Sequence, residues 1–177
     1  MTGRAPMVAW GDFRAAEPGF AASVRAAFTA DRHAVLATLR RDGAPRISGI
    51  EPVFHTSDIW LFVMPGSVKS ADLRHDPRCA LHSATTERRC GRHHPGGAIG
   101  PMPDDAKISG QAVPVTDPAA AAEFLDLLEA RTGLPADCGP ELMRVDIEEV
   151  STVRAIGEGA VVSSWRVGGP LRVRQRS

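Results

Sequence analysis

The sequence predicts a mainly β fold with inserted helices, an antiparallel barrel, on three observations. Apolar runs of strand length are joined by tight turns, as at Arg41-Asp42-Gly43 and His55-Thr56-Ser57-Asp58. Helical periodicity is confined to a few segments set singly between the strands. The regular strand–helix–strand alternation of a parallel sheet is missing. Closing such a sheet on itself would also hide its edges.

The elements follow in chain order. After a loose start, Glu17-Pro18-Gly19 leads into a helix whose one face carries Phe20, Val24, Ala27 and Phe28. His33 to Leu39 is β-compatible, and Asp42-Gly43 is a hairpin turn into a partner strand from about Pro45 to Phe54. Ile59 to Val63 forms the third strand. Gly66 permits a tight turn, and Ser67 caps a short helix by accepting a bond from the Ser70 amide. That helix stops at Asp76-Pro77, because a residue before proline is pushed out of the α region.

Cys79 to Ser83 is the fourth strand. From Thr85 to Asp104 the chain is rich in Gly, Pro, Arg and His, and reads as a lid or a disordered insertion. Ala106 to Val115 resumes as a strand, and Asp117-Pro118 opens a helix with an apolar stripe of Ala121, Phe124, Leu125 and Leu128. Met143, Val145 and Ile147 alternate with Arg144 and Asp146, the pattern of a half-buried strand, and Thr152 to Ile156 continues it or forms another. The last residues hold Trp165 and then Arg166, Arg172, Arg174 and Arg176 with no acid among them. They are either a frayed basic tail or a strand carrying cations to an anionic ligand.

A chain of 177 residues is long enough for one real core. We expect a single domain over 1–177, with an irregular loop at 85–104 and a basic C-terminal segment at 160–177. Lys plus Arg and Asp plus Glu balance at 21 each, which removes a global electrostatic case for nucleic acid or membrane as partner. No run has the apolar length of a membrane span, and no basic-then-apolar leader opens the chain. Cys79, Cys90 and Cys138 are too few and too scattered for a disulfide framework, so a reducing cytoplasm is the expected location.

Chemistry concentrates in Gly66-Ser67-Val68-Lys69-Ser70-Ala71-Asp72-Leu73. The first amides of a helix lack internal partners and lie at the positive end of its dipole, so they attract an anion. With Lys69 in the first turn, this strand–turn–helix unit reads as a phosphate cradle. Its plain alternative is an ordinary capped helix with a solvated lysine. Cys90-Gly91-Arg92-His93-His94 offers at most three neighbouring metal ligands without a second Cys/His pair, so no metal site is expected. A serine hydrolase has no support, because no Gly-x-Ser-x-Gly elbow is present.

Arg46-Ile47-Ser48 on a strand after an Asp-Gly hairpin, then an aromatic strand, Gly-Ser-x-Lys and Asp76-Pro77-Arg78, resembles the pyridoxamine 5'-phosphate oxidase-like superfamily. The similarity runs from about His33 to Val115, and more loosely from Trp165 through Gly168-Gly169 to Arg172. It implies a six-stranded antiparallel Greek-key split β-barrel with FMN as cofactor, and a homodimer with the flavin at the subunit interface. Carried over by residue, Arg46 would contact the flavin phosphate, with Ile47 and Ser48 beside it and Ser48 facing the ring. Ser67 and Lys69 match the phosphate-binding helix start, and Phe62 and Val63 the strand that lines the isoalloxazine. Trp165 and Arg176 resemble a tryptophan and a late arginine near the C-terminus of the true oxidases.

The chain departs from that pattern in its substrate site. Glu51 stands where the true oxidases carry lysine, Val68 replaces a second basic residue, Asp105 a glutamine, and Val173 or Arg174 a histidine. The resemblance therefore implies a flavin oxidoreductase acting on some other small organic molecule, with the electron donor open between NADH or NADPH, a deazaflavin and a partner protein. Two alternatives stay open: a deazaflavin-dependent reductase, often used by split barrels of actinobacterial type, and a non-catalytic flavin or haem carrier. No general acid or base stands out.

Overall fold

The computed structural model describes residues 6–84, 104–133, 139, 141–156 and 159–176. Most of the expected Thr85–Asp104 loop, with Cys90, His93 and His94, lies outside the described residues, as does Cys138. Among the described residues nine strands form one antiparallel sheet. Strand β1 (Ala34–Leu39) turns at Gly43, whose φ of +81° suits glycine, into β2 (Pro45–Ile50), pairing Leu39 with Pro45 and Ala34 with Ile50. Strands β3 (Pro52–His55) and β4 (Asp58–Val63) form the next hairpin. After the helix comes β5 (Arg78–His82), then β6 (Asp105–Pro114), β7 (Glu141–Ile156), β8 (Gly159–Arg166) and β9 (Arg172–Arg176).

The main path runs β2-β1-β5-β6-β7-β4-β3, and β8 and β9 extend it from the second half of β7. Its end strands, β2 and β3, are consecutive in the chain and separated by Glu51 alone. The expected partner strand from Pro45 to Phe54 is thus one run bent at Glu51-Pro52, and counting it once leaves six strands around the barrel. Each half begins with a proline, which has no N–H for a ladder and suits an edge. Closure by hydrogen bonds, expected from the sequence, does not occur: the sheet remains open between β2 and β3.

Alternation decides what fills the interior. Ile59, Leu61 and Val63 of β4, Leu36 of β1, Leu81 of β5, Ile108 of β6 and Val145 and Ile147 of β7 are all buried in one cluster. Helix α1 (Trp10–Ala16) and helix α2 (Pro18–Thr29) complete it with Trp10, Phe13, Phe20, Val24 and Phe28. Trp10 meets Phe54 edge-on at 4.7 Å, and Phe13 lies 4.8 Å from Trp165. Helix α1 corrects the loose start: Trp10 and Phe13, one turn apart, hold it by burial, although no side chain caps its N-terminus. On the outer face, helix α4 (Pro118–Thr132) lays Phe124 flat on Trp60 at 4.7 Å and 10°.

The Thr152–Ile156 segment continues β7 without a break. The ladder with β6 shifts register between Ser109 and Gly110, leaving Glu148 as the extra residue of a β-bulge. Its carbonyl accepts from the Val167 amide at 3.1 Å, which ties the β8–β9 turn to the bulge.

Candidate functional site

Helix α3 (Val68–His75) lies at the centre of the predicted cradle. Gly66 adopts φ +70°, and the Ser67 hydroxyl accepts from the Ser70 amide at 3.3 Å, as the sequence predicts. That leaves the amides of Val68 and Lys69, at the positive helix end, without an acceptor inside the helix. The opposite side of α3 is held by β7: Glu141 accepts from Ser70 Oγ at 2.5 Å and from Arg74 Nη1 at 2.9 Å.

Two cross-ties bind α3 to β2. Lys69 Nζ donates to the Gly49 carbonyl at 2.5 Å, and Arg46 Nε donates to Asp72 Oδ2 at 2.7 Å. Lys69 and Asp72 are one turn apart, so the helix runs antiparallel to the strand and brings Arg46, Ser67 and Lys69 into one region. Ser48 lies between the two tie points on β2, half-buried, while Ile47 points outward with 74% of its surface exposed.

Asp72 is buried and also accepts from Thr38 Oγ1 at 2.8 Å. Burial would push its carboxyl up; the bonds from Arg46 and Thr38, with the charges of Arg46 and Arg40, outweigh that and hold it below the usual carboxylate value. Asp72 belongs to the octapeptide singled out in the sequence, yet it received no role there. Its signal was an acid one turn after Lys69 and next to the buried Leu73.

The other predicted residues are placed differently. Phe62 packs toward α4 beside Trp60 and Leu142, whereas the Val63 side chain is wholly inside the barrel, leaving only its backbone for a ring. Trp165 is 6% exposed and packs in the core against Phe13. It also lines a cleft of about 570 Å³ with Ser164, Arg166, Gly168, Pro170 and Arg172. This cleft belongs to the β8–β9 hairpin, apart from the open surface around α3. Arg176 is exposed on β9, which is a strand and no frayed tail. Among the described residues Arg172, Arg174 and Arg176 make no ion pair, while Arg166 is paired with Glu149 at 2.6 Å and Glu148 at 3.5 Å.

Glu51 is less hostile to an anion than its charge suggests. Arg32 Nε lies 2.6 Å from one oxygen and His33 Nε2 3.3 Å from the other. These partners come from the stretch after α2 and could not be assigned from the strand pattern.

The sheet and its connections define an antiparallel split barrel with the capped start of α3 beside an edge strand. The chain belongs to the pyridoxamine 5'-phosphate oxidase family, whose model matches residues 20–154. Solved structures agree in fold. A protein related to general stress protein 26 from Clostridium acetobutylicum is 13% identical, with TM-score 0.57 over 81% of this chain and 91% of that one. A pyridoxamine 5'-phosphate oxidase-related, FMN binding protein from Nostoc punctiforme is also 13% identical, with TM-score 0.57 over 90% and 95%. A haem binding protein from Mycobacterium smegmatis is 21% identical, with TM-score 0.58 over 82% of this chain and 57% of that one. No curated protein matches. Among the described residues no helix is long and apolar enough to cross a membrane.

Proposed function

We propose that the chain binds FMN and works as a flavin-dependent oxidoreductase on a small organic substrate. The observation that carries the reading is the pairing of α3 with β2, which sets Arg46, Lys69 and two free helix-start amides around one surface. Guanidinium, ammonium and amides together suit a phosphomonoester. Ser67, Lys69 and Arg46 would hold the phosphate. A bound flavin supplies the redox chemistry; the chain binds it, orients it and keeps water from it.

The same proposal includes a homodimer with the cofactor at its interface. The outward face of β1 and β2 exposes Val35 and Ile47, and Met64 and Val68 are exposed on either side of the Gly66 turn. An apolar surface beside a charged cradle favours a second copy as its cover. That copy would also bring a Trp165–Arg172 cleft and the Arg176 strand to the cradle, which a single chain keeps apart. NADH or NADPH as donor and a cytoplasmic setting belong to this reading.

The test is an absorbance spectrum of the purified protein, then titration with FMN and with a deazaflavin. Two visible flavin bands and tight FMN binding support the proposal. Preference for the deazaflavin replaces FMN by that coenzyme, and a Soret band favours a haem carrier. Arg46→Ala and Lys69→Ala should each weaken FMN binding; full affinity in both variants refutes the cradle.

A further inference from the structure

We propose that Asp72 is a positioning residue of the phosphate site, anchoring Arg46 by its Nε so that the two terminal guanidinium nitrogens are presented to the anion. The inference rests on the FMN reading and deepens it. Three observations carry it. Asp72 Oδ2 receives Arg46 Nε at 2.7 Å and Thr38 Oγ1 at 2.8 Å, so the carboxylate is itself fixed by a buried strand residue. Among the described residues Arg46 makes no hydrogen bond through its terminal nitrogens, which leaves them for a ligand. The Asp72 side chain is 7% exposed while that of Arg46 is 27% exposed, so the buried end of the pair is the acid and the accessible end is the cation.

A plain docking contact between α3 and β1 would not require this arrangement. A buried carboxylate is costly unless fully paired, and an apolar residue beside Leu73 would pack the helix as well. A long arginine without an anchor loses rotamer freedom when it meets a ligand, which weakens binding. Held by Asp72, that freedom is already gone. The anchor uses the side of the guanidinium at Nε and leaves the end-on pair of nitrogens, which still fits two phosphate oxygens. The negative charge so close to an anion site is offset by Arg40, which acts on Asp72 together with Arg46.

The experiment compares FMN with riboflavin, which shares the ring system and lacks the phosphate. Dissociation constants of both are measured by flavin fluorescence quenching for the wild-type protein, Asp72→Ala, Asp72→Asn and Thr38→Val, with circular dichroism to check folding. Asp72→Ala should weaken FMN about tenfold and leave riboflavin within about twofold, so that the preference for FMN collapses. Asp72→Asn keeps an oxygen for Nε and should restore most of that preference. Equal loss of both flavins in Asp72→Ala marks a scaffold role and overturns the proposal, and so does an unchanged FMN constant. If Asp72→Ala fails to fold, Thr38→Val decides: it frees the carboxylate and should lower the FMN preference two- to threefold, on the order of a few tenths of that tenfold effect's free energy. An unchanged preference there counts against the anchor. A wild-type protein that binds neither flavin, or both equally, refutes the parent reading, an outcome distinct from any difference among the variants.

Discussion

Gly110→Ala tests the β-bulge in the ladder between β6 and β7. A Cβ built on Gly110 would lie 1.9 Å from the Asp146 carbonyl oxygen, 2.9 Å from its carbon and 3.1 Å from Ile147 Cα. Ordinary carbon–oxygen contacts between strands are about 3.3 Å or longer, so the strands must part locally by roughly 1.4 Å. Every obstructing atom is backbone, so no side chain can swing away. Moving strands that far takes inter-strand bonds of about 2.9 Å beyond hydrogen-bonding range. Two lost ladder bonds at about 1 kcal/mol each, with overpacking strain of about 1–3 kcal/mol, give roughly 3–5 kcal/mol. For a chain of this size 1 kcal/mol corresponds to about 2–4 °C in Tm, so the melting point should fall by at least about 6 °C. Thermal melts by circular dichroism read this directly, with Gly49→Ala as control. The control Cβ has no heavy atom within 4 Å, and it should melt at or slightly above the wild-type temperature. A Gly110→Ala protein melting within about 2 °C of wild type would sink the account of the bulge.

Three further outcomes are expected. Phe124→Ala removes the ring stacked on Trp60 and should cost about 3–5 kcal/mol, seen as a lower urea midpoint with loss of α4 helicity; an unchanged midpoint would mean that α4 is not held by this contact. Burial pushes the Cys79 thiol from 9.0 up to about 12, so in a Cys90→Ser, Cys138→Ser background it should resist a thiol reagent at pH 8 until denaturant is added; labelling without denaturant would contradict its place inside the barrel. The raised value favours the protonated thiol in the folded state, a contribution present below pH 9.0 and lost as pH climbs toward 12. For Asp72 the sign is reversed: its depressed carboxyl contributes stability in full above 3.8, and this fades as pH falls below that value. Asp72→Asn should therefore flatten the acid limb of the stability–pH curve, and an identical limb in both proteins would exclude Asp72 from it.

Much of the architecture was legible because it rests on local chemistry. Asp42-Gly43 made the first hairpin, with glycine where φ is positive, and Ser67 capped the very amide predicted for it. Helix α1 was missed because tertiary burial of Trp10 and Phe13 holds a seven-residue helix that has no capping side chain. The bend at Glu51 was missed because the alternation of β2 and β3 reads as one strand; only the placement of the two halves on opposite ends of the path separates them. At the candidate site, Ser67 and Lys69 stood out by type and spacing, and Arg46 through the family resemblance. Asp72 did not, since its role depends on Thr38 and Arg46, which lie 34 and 26 residues away in the chain. Trp165 illustrates the converse: the family resemblance suggested a ligand contact, while its neighbours Phe13 and the interior make it core first.

The junction at Glu51 has a mechanical consequence. The chain itself steps from one rim of the sheet to the other, so β2 and β3 can splay without rupturing any ladder bond. Amide exchange should therefore separate the outward-facing N–H groups of these two strands from the protected groups of β6 and β7 between them. A circular permutant opened between Ile50 and Pro52 would keep every strand pair and lose only the covalent stitch. Whatever curvature it retains is the share imposed by Trp10, Phe13 and the helices that fill the tube. In this protein a rolled sheet is kept rolled by its stuffing and one stitch, and the seam between β2 and β3 is where it is free to widen.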